Sequence, residues 1–250
     1  MSSHPSLKFK LNKVRMPKNY SLLAQALVCR CRSGLRLALI IAFSAICCIA
    51  TPAATAGAYD DYLVAVKFDD INVLRTLLKR GMDPNTVEKV RGESGMMIAL
   101  RENSMKVFDA LLTADGINIE AKSKNGDTAL MIASFMGNLE AVNKLIAADA
   151  EINRPGWTPL HYAAAKGDPV IISVLLENYA YIDAASPNRT TPLMMAVRSG
   201  KTPAVKLLME EGADITLKND VGMTALDFAV DLELKEITGM LRAALKQQAK

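Results

Sequence analysis

The chain has 250 residues, half of them hydrophobic, and a formal net charge of +4 from 30 Lys and Arg against 26 Asp and Glu. That length holds one or two domains with a sizeable core. The charge is unevenly placed: residues 1–58 carry eight basic side chains and no acid, which leaves residues 59–250 with 22 basic and 26 acidic groups, net −4, and argues against nucleic acid as a partner of the larger part.

Residues 1–58 read as a leader. Its basic stretch runs into LALIIAFSAICCIA, Leu37 to Ala50, fourteen residues without a charge, and then into TPAATAGA. Positive, apolar and small residues in that order predict a signal segment. It would be cut after Ala54-Thr55-Ala56 or Ala56-Gly57-Ala58. The leader exceeds the usual length of about 15–30 residues, which makes Met16 a second candidate start. The alternative is an uncleaved inner-membrane anchor. Fourteen apolar residues fall short of the roughly 20 that span a bilayer. Extension to Ala58 reaches 22 uncharged positions but includes Pro52, Gly57 and two threonines. In either case the basic flank stays in the cytoplasm and the rest is exported, so the periplasm is the expected location. All four cysteines, Cys29, Cys31, Cys47 and Cys48, lie in this leader. The exported part therefore has no disulfide and is stabilised by its core alone.

Residues 59–250 repeat themselves. DDYLVAVKFDD from Asp60, SGMMIALRENS from Ser94 and DTALMIASFMGN from Asp127 are followed by GWTPLHYAAAKG from Gly156, TTPLMMAVRSGK from Thr190 and MTALDFAVDLEL from Met223. Alanines register at Ala65, Ala99, Ala133, Ala163, Ala196 and Ala229, spaced 34, 34, 30, 33 and 33 apart. An apolar pair or its remnant follows each: Leu77-Leu78, Leu111-Leu112, Leu145-Ile146, Leu175-Leu176, Leu208-Met209 and Leu241. GMDPN, DGINIE, DAEIN, YAYID and GADIT come next. Locally, Thr158 suits a helix N-cap and Pro159 the first helical position, as do Thr191 and Pro192. Gly167 suits a left-handed helix end, and Asp168-Pro169 begins a second helix. Leu175 and Leu176 are expected to bury between units.

Period, T-P-L-H tetrapeptide, apolar pair and turn recur in phase, and together they resemble the ankyrin repeat over residues 59–250. The resemblance implies an all-α fold, a solenoid of about six helix-turn-helix units with β-turn fingers. The units lie near 59–89, 90–122, 123–153, 154–186, 187–218 and 219–250. It also implies that His161, at the His of the tetrapeptide, is structural like Thr158, Pro159 and Gly167, its ring bonding neighbouring backbone. No nucleophile elbow, phosphate loop or metal-ligand cluster is visible. No catalysis, cofactor, metal or small-molecule substrate is expected.

In the family, partners bind at the fingertips and at the ends of the first helices, on the concave face. Carried over, these positions make Phe68, Arg101, Phe135, Met136, Trp157, Lys166 and Arg198 the expected partner-binding residues. The middle is apolar (Phe135, Met136, Trp157) and the rim basic (Arg101, Lys166, Arg198), a rim that suits an acidic partner surface. Phe135 and Met136 packed into the solenoid, and Trp157 half-buried over its loop, are the alternatives. Three departures stand out. The link from Asn153 to Thr158 is three residues shorter than its neighbours, a clipped finger that would open the groove beside Trp157. Asp149 and Tyr179 replace a turn glycine, and Glu233 replaces the first-helix glycine in a last unit that looks like a cap. Asn188-Arg189-Thr190 matches a glycosylation acceptor, a pattern short enough to arise by chance. The expected function is an exported, non-catalytic protein-binding module. The alternatives are an inner-membrane scaffold and a secreted effector acting in a host cell.

Overall fold

The computed structural model describes residues 52–248, with side chains from residue 57. The basic and apolar stretches of the leader and its four cysteines lie outside the described residues, and the two expected cut sites lie on the first turns of helix α1.

Among the described residues there are twelve helices and no strand, only an isolated antiparallel bridge between Val87 and Ser94. The first helices of the six units are α1 (Pro52–Lys67), α3 (Gly95–Arg101), α5 (Ala129–Met136), α7 (Pro159–Lys166), α9 (Pro192–Arg198) and α11 (Ala225–Asp231). The second helices are α2 (Ile71–Lys79), α4 (Met105–Leu112), α6 (Leu139–Ala147), α8 (Pro169–Glu177), α10 (Thr202–Glu210) and α12 (Lys235–Gln248). From α3 onward each first helix packs on the next: α3 on α5, α5 on α7, α7 on α9 and α9 on α11. None of these helices is long and apolar enough to cross a membrane.

Helices of seven to nine residues are marginal alone, so their ends carry the signals that start them. Thr128, Thr191 and Thr224 occupy N-caps and accept the N–H three residues on, as Ser94 does for α3. Asp70, Asn138 and Asp168 cap second helices, with Pro169 at the first position of α8. Each first helix ends in a left-handed residue, in chain order Asp69, Asn103, Gly137, Gly167, Gly200 and Glu233. Asp149 and Tyr179 also take the left-handed conformation that glycine takes at Gly81, Gly116 and Gly212, with φ of 62° and 65°.

The six register alanines are buried and let neighbouring helices close on one another. Of the apolar pairs, only the first member is fully buried: Leu77, Leu111, Leu145, Leu175, Leu208 and Leu241 face the core. Leu176 is half-buried and packs against that core from its edge. Of Leu175 and Leu176, both expected to bury between units, Leu176 does so only in part, because consecutive helical positions face different directions.

A polar ladder joins the units at their far turns. Asn85 Oδ1 accepts the Asn118 N–H at 2.7 Å, and Glu120 Oε1 accepts the Glu151 N–H at 2.8 Å. Asn153 Oδ1 accepts the Tyr181 N–H at 2.8 Å, and Asp183 Oδ1 accepts the Asp214 N–H at 3.0 Å. The last residue of each turn motif thus reaches the third residue of the next one, or the fourth in the six-residue DGINIE.

Candidate partner-binding face

The fingers are hairpin turns, closed by backbone bonds that include Glu88 N–H to Glu93 O, Ser123 N–H to Asp127 O, Ser186 N–H to Thr190 O and Asn219 N–H to Met223 O. Neighbouring fingers also bond directly, Lys124 N–H to Arg91 O and Asp220 N–H to Asn188 O. The finger at 154–157 departs from this pattern. Ser123, Ser186 and Asn219 each accept the N–H four residues on through their side chains. The corresponding residue before Trp157 is Asn153, and its side chain is spent on the far turn instead, donating to Tyr179 O as well as accepting from Tyr181. The row of fingers therefore has a notch at its middle.

Trp157 stands at that notch. Its ring meets His161 edge-on, centroids 5.2 Å apart at 77°. The Phe135 ring on α5 meets Tyr162 on α7 edge-on at 6.2 Å. With Ala165 and Met195 these residues line a cavity of about 210 Å³.

The imidazole nitrogens and the phenol hydroxyl of this wall are bonded to groups outside the cavity lining. His161 is buried; its Nδ1 accepts the Thr158 N–H at 3.2 Å and lies 2.9 Å from Thr158 Oγ1. Its Nε2 lies 2.9 Å from the Thr190 carbonyl oxygen. A carbonyl only accepts, so Nε2 carries the proton and the ring is neutral. Burial pushes its pKa down to about 4, against the opposing pull of the Thr190 and Ala184 backbone. Both ring nitrogens are committed, one to the N-cap of its own helix and one to the next unit. Tyr162 Oη donates to Asp127 Oδ1, and Asp127 Oδ2 accepts from Ser123 Oγ. Burial first, and then the Asp127 hydrogen bond and charge, raise the Tyr162 pKa above the ordinary phenol value.

The structure separates the other expected binding residues. Phe68 is 78 % exposed just past α1, and Phe135 is 43 % exposed at the cavity mouth. Met136 lines a different cleft, with Leu100, Asn103, Met105 and Leu139. Arg101 does not belong to a free basic rim: its Nε lies 2.7 Å from Oε1 of Glu93, a carboxylate only 4 % exposed. A buried carboxylate requires a partner, and Arg101 supplies it. Lys166 and Arg198 are exposed, and neither forms an ion pair among the described residues. The Arg198 guanidinium rests 5.6 Å from the centre of the Phe228 ring. The same residues include no group of three His, Cys, Asp or Glu side chains placed to hold a metal.

Tyr162 and Met195 were not expected at the site, and Ala165 was there only as a helix-end position, yet the register carried a signal for all three. The position two after each core alanine reads Lys67, Arg101, Phe135, Ala165, Arg198 and Asp231; Ala165 alone is small. The position before each core alanine reads Val64, Ile98, Ile132, Tyr162, Met195 and Phe228, bulky throughout.

A family model described as "Ankyrin repeats (3 copies)" matches residues 63–156, 148–219 and 181–248. The chain is 29 % identical over 162 residues to transient receptor potential cation channel subfamily A member 1 of Homo sapiens, covering 60 % of this chain and 14 % of that protein. It is 30 % identical over 161 residues to SH3 and multiple ankyrin repeat domains protein 2 of Homo sapiens, covering 62 % and 9 %. It is 28 % identical over 155 residues to B-cell lymphoma 3 protein homolog of Mus musculus, covering 59 % and 34 %. The chain thus spans at most 34 % of the length of these relatives.

Proposed function

The chain belongs to the ankyrin-repeat family, and from that premise we propose that it is an exported, non-catalytic module that binds a protein through the face shared by its fingers and first helices. Ankyrin repeats imply protein–protein interaction. The observation that carries the choice of face is the apolar cavity between Phe135 and Trp157. Open apolar surface at that position has no packing duty to explain it, and a half-exposed Phe and Trp are the residue types that dominate interface energetics. The two committed nitrogens of His161 support a binder over an enzyme, since a catalytic histidine needs a free nitrogen at its substrate.

The basic and apolar leader supports export to the periplasm. Its uncharged stretch of 22 positions to Ala58 keeps a second form of the reading, a scaffold held at the inner membrane. Cell fractionation and the N-terminal sequence of the purified protein separate the two. A start beyond residue 50 in the periplasmic fraction means a cleaved, free module; an intact leader in the membrane fraction means an anchored one.

The binding reading is tested by crosslinking capture from the periplasm with the wild-type chain and a Phe135→Ala, Trp157→Ala double variant of matched thermal stability. A specific protein captured by the first and lost from the second is the expected result. Equal capture by both would move binding off this face.

A further inference from the structure

The cavity beside Trp157 is created by two omissions in the same place. The finger between Asn153 and Thr158 is three residues short, and Ala165 occupies a position that holds Lys, Arg, Phe, Arg or Asp in the other five units. Ala165 lines the cavity, so a larger side chain there would fill the space. The wall that remains, Phe135, Trp157, His161, Tyr162, Ala165 and Met195, has its imidazole nitrogens and phenol hydroxyl bonded elsewhere: His161 to Thr158 and Thr190, Tyr162 to Asp127. What enters finds mainly rings and methyl groups, with the Trp157 indole N–H the one donor not bonded elsewhere among the described residues. A charged group desolvated there would go unsatisfied.

Size and charge narrow the occupant further. A dry cavity of roughly 150 Å³ holds a benzene molecule, so about 210 Å³ takes one bulky side chain. Aromatic walls attract cations, but the charges here oppose one. Neither basic neighbour lines the cavity: Lys166 follows Ala165 on α7 with its chain beside Gly137, and Arg198 lies one turn past Met195 on α9 with its guanidinium on the Phe228 ring. Both are exposed and neither is ion-paired among the described residues, so both are free to meet a carboxylate at the cavity's edge. No carboxylate lines the cavity; Asp127, bonded to the wall residue Tyr162, is also held by Ser123, and Glu93 is taken by Arg101.

We propose that this cavity is the anchor pocket for a segment of the partner protein, receiving a single bulky apolar side chain whose neighbouring carboxylates pair with Lys166 and Arg198. The proposal rests on the protein-binding reading above and specifies what that partner must present.

Trp157 is the chain's only tryptophan and stands in the pocket wall, so its fluorescence reports occupancy directly. The test uses the full chain and an array of tryptophan-free nonapeptides. The central residue is Leu, Phe, Ser or Lys, and the flanks carry Glu, Lys or Ala. The expected result is retention of peptides with a Leu or Phe centre and Glu flanks. In solution they should shift Trp157 emission to the blue and shield it from acrylamide. A Ser centre should weaken binding roughly ten- to a hundredfold. Ala165→Phe, which fills the pocket from a half-exposed position, should abolish binding, and Ala165→Ser, which leaves it open, should not. A Lys166→Ala, Arg198→Ala pair should erase the preference for Glu flanks and flatten the salt dependence.

Four outcomes would overturn the proposal: retention indifferent to the central residue, equal binding by Ala165→Phe, a preference for Lys flanks, or binding that leaves Trp157 emission unmoved. A shift of equal size with benzoate alone would assign the pocket to small aromatic acids instead. A shift that grows with protein concentration without peptide would assign it to a second copy of the chain. Protein capture that depends on Phe135 and Trp157 while no peptide is selected would sink the anchor and leave the binding face standing. Capture insensitive to that face would sink both.

Discussion

His161 Nε2 lies 2.9 Å from the carbonyl oxygen of Thr190, one unit further along the stack, while its Nδ1 accepts the backbone N–H of Thr158. One ring closes the start of α7 and ties that unit to the next. It does so only as the neutral tautomer, because protonation removes the acceptor at Nδ1.

This makes stability depend on pH. The His161 pKa is about 4 in the folded chain and about 6.5 when unfolded. Between those values the unfolded state binds the extra proton, so stability is fully present above pH 6.5 or so and is lost as pH falls toward 4. The loss attributable to this residue at pH 4.5 is roughly 2–3 kcal/mol. Urea unfolding of the wild type and His161→Gln at pH 7.5 and 4.5 checks it: the variant should be weaker at pH 7.5 and lose less on acidification. Equal losses in both would show that His161 is not the sensor.

Core packing predicts an asymmetry within one apolar pair. Leu175 is fully buried and Leu176 only partly. Leu175→Ala should cost about 2–5 kcal/mol and Leu176→Ala less than half as much. Because each unit leans on its neighbours, the Leu175 change should lower the melting temperature of the whole array. Calorimetry of the two variants decides; a larger cost at Leu176 would mean that the register of α8 differs from the one described.

Tyr179 holds φ at 65° with its side chain 85 % exposed. A left-handed backbone costs an ordinary residue about 1–2 kcal/mol, and glycine escapes that cost at the expense of a more flexible unfolded chain. Tyr179→Gly should therefore stabilise by about 0.5 kcal/mol, a rise of ~1–2 °C in Tm. A lower Tm would reveal a contact made by the Tyr179 ring.

Asn153 donates to Tyr179 O and accepts from Tyr181 N–H, holding the far turns of two units together. Asn153→Ala removes both bonds and should cost about 1–2 kcal/mol. Asn153→Asp keeps the acceptor alone. Amide exchange at Tyr181 should accelerate clearly in the Ala variant and little in the Asp variant; unchanged exchange in both would deny the clasp its role.

The architecture was legible because each unit states the same instructions. Thr or Ser at the N-cap of five first helices, proline at the first position of two of them, alanine at every helix crossing and leucine twelve residues later act within one unit or its neighbour. The shortened finger was equally plain, as a gap in a period. Other features depended on where side chains go once the stack forms. Arg101 carries a formal charge in any alignment, but its head group turns to a buried Glu93. Met136 adjoins Phe135 in sequence, but successive helical positions diverge and it enters another cleft.

By itself the sequence determined the repeat and its register, the caps that start each helix and the alanines that let the helices meet. These rest on interactions between residues close in the chain or one period apart. Only the tertiary structure decided that Phe135, Tyr162, Trp157 and Met195 enclose a common space over Ala165, and that the His161 nitrogens and the Tyr162 hydroxyl are bonded elsewhere. Those residues come from three helices and a finger in different units. A cavity is defined by the atoms missing between them, which no single unit specifies.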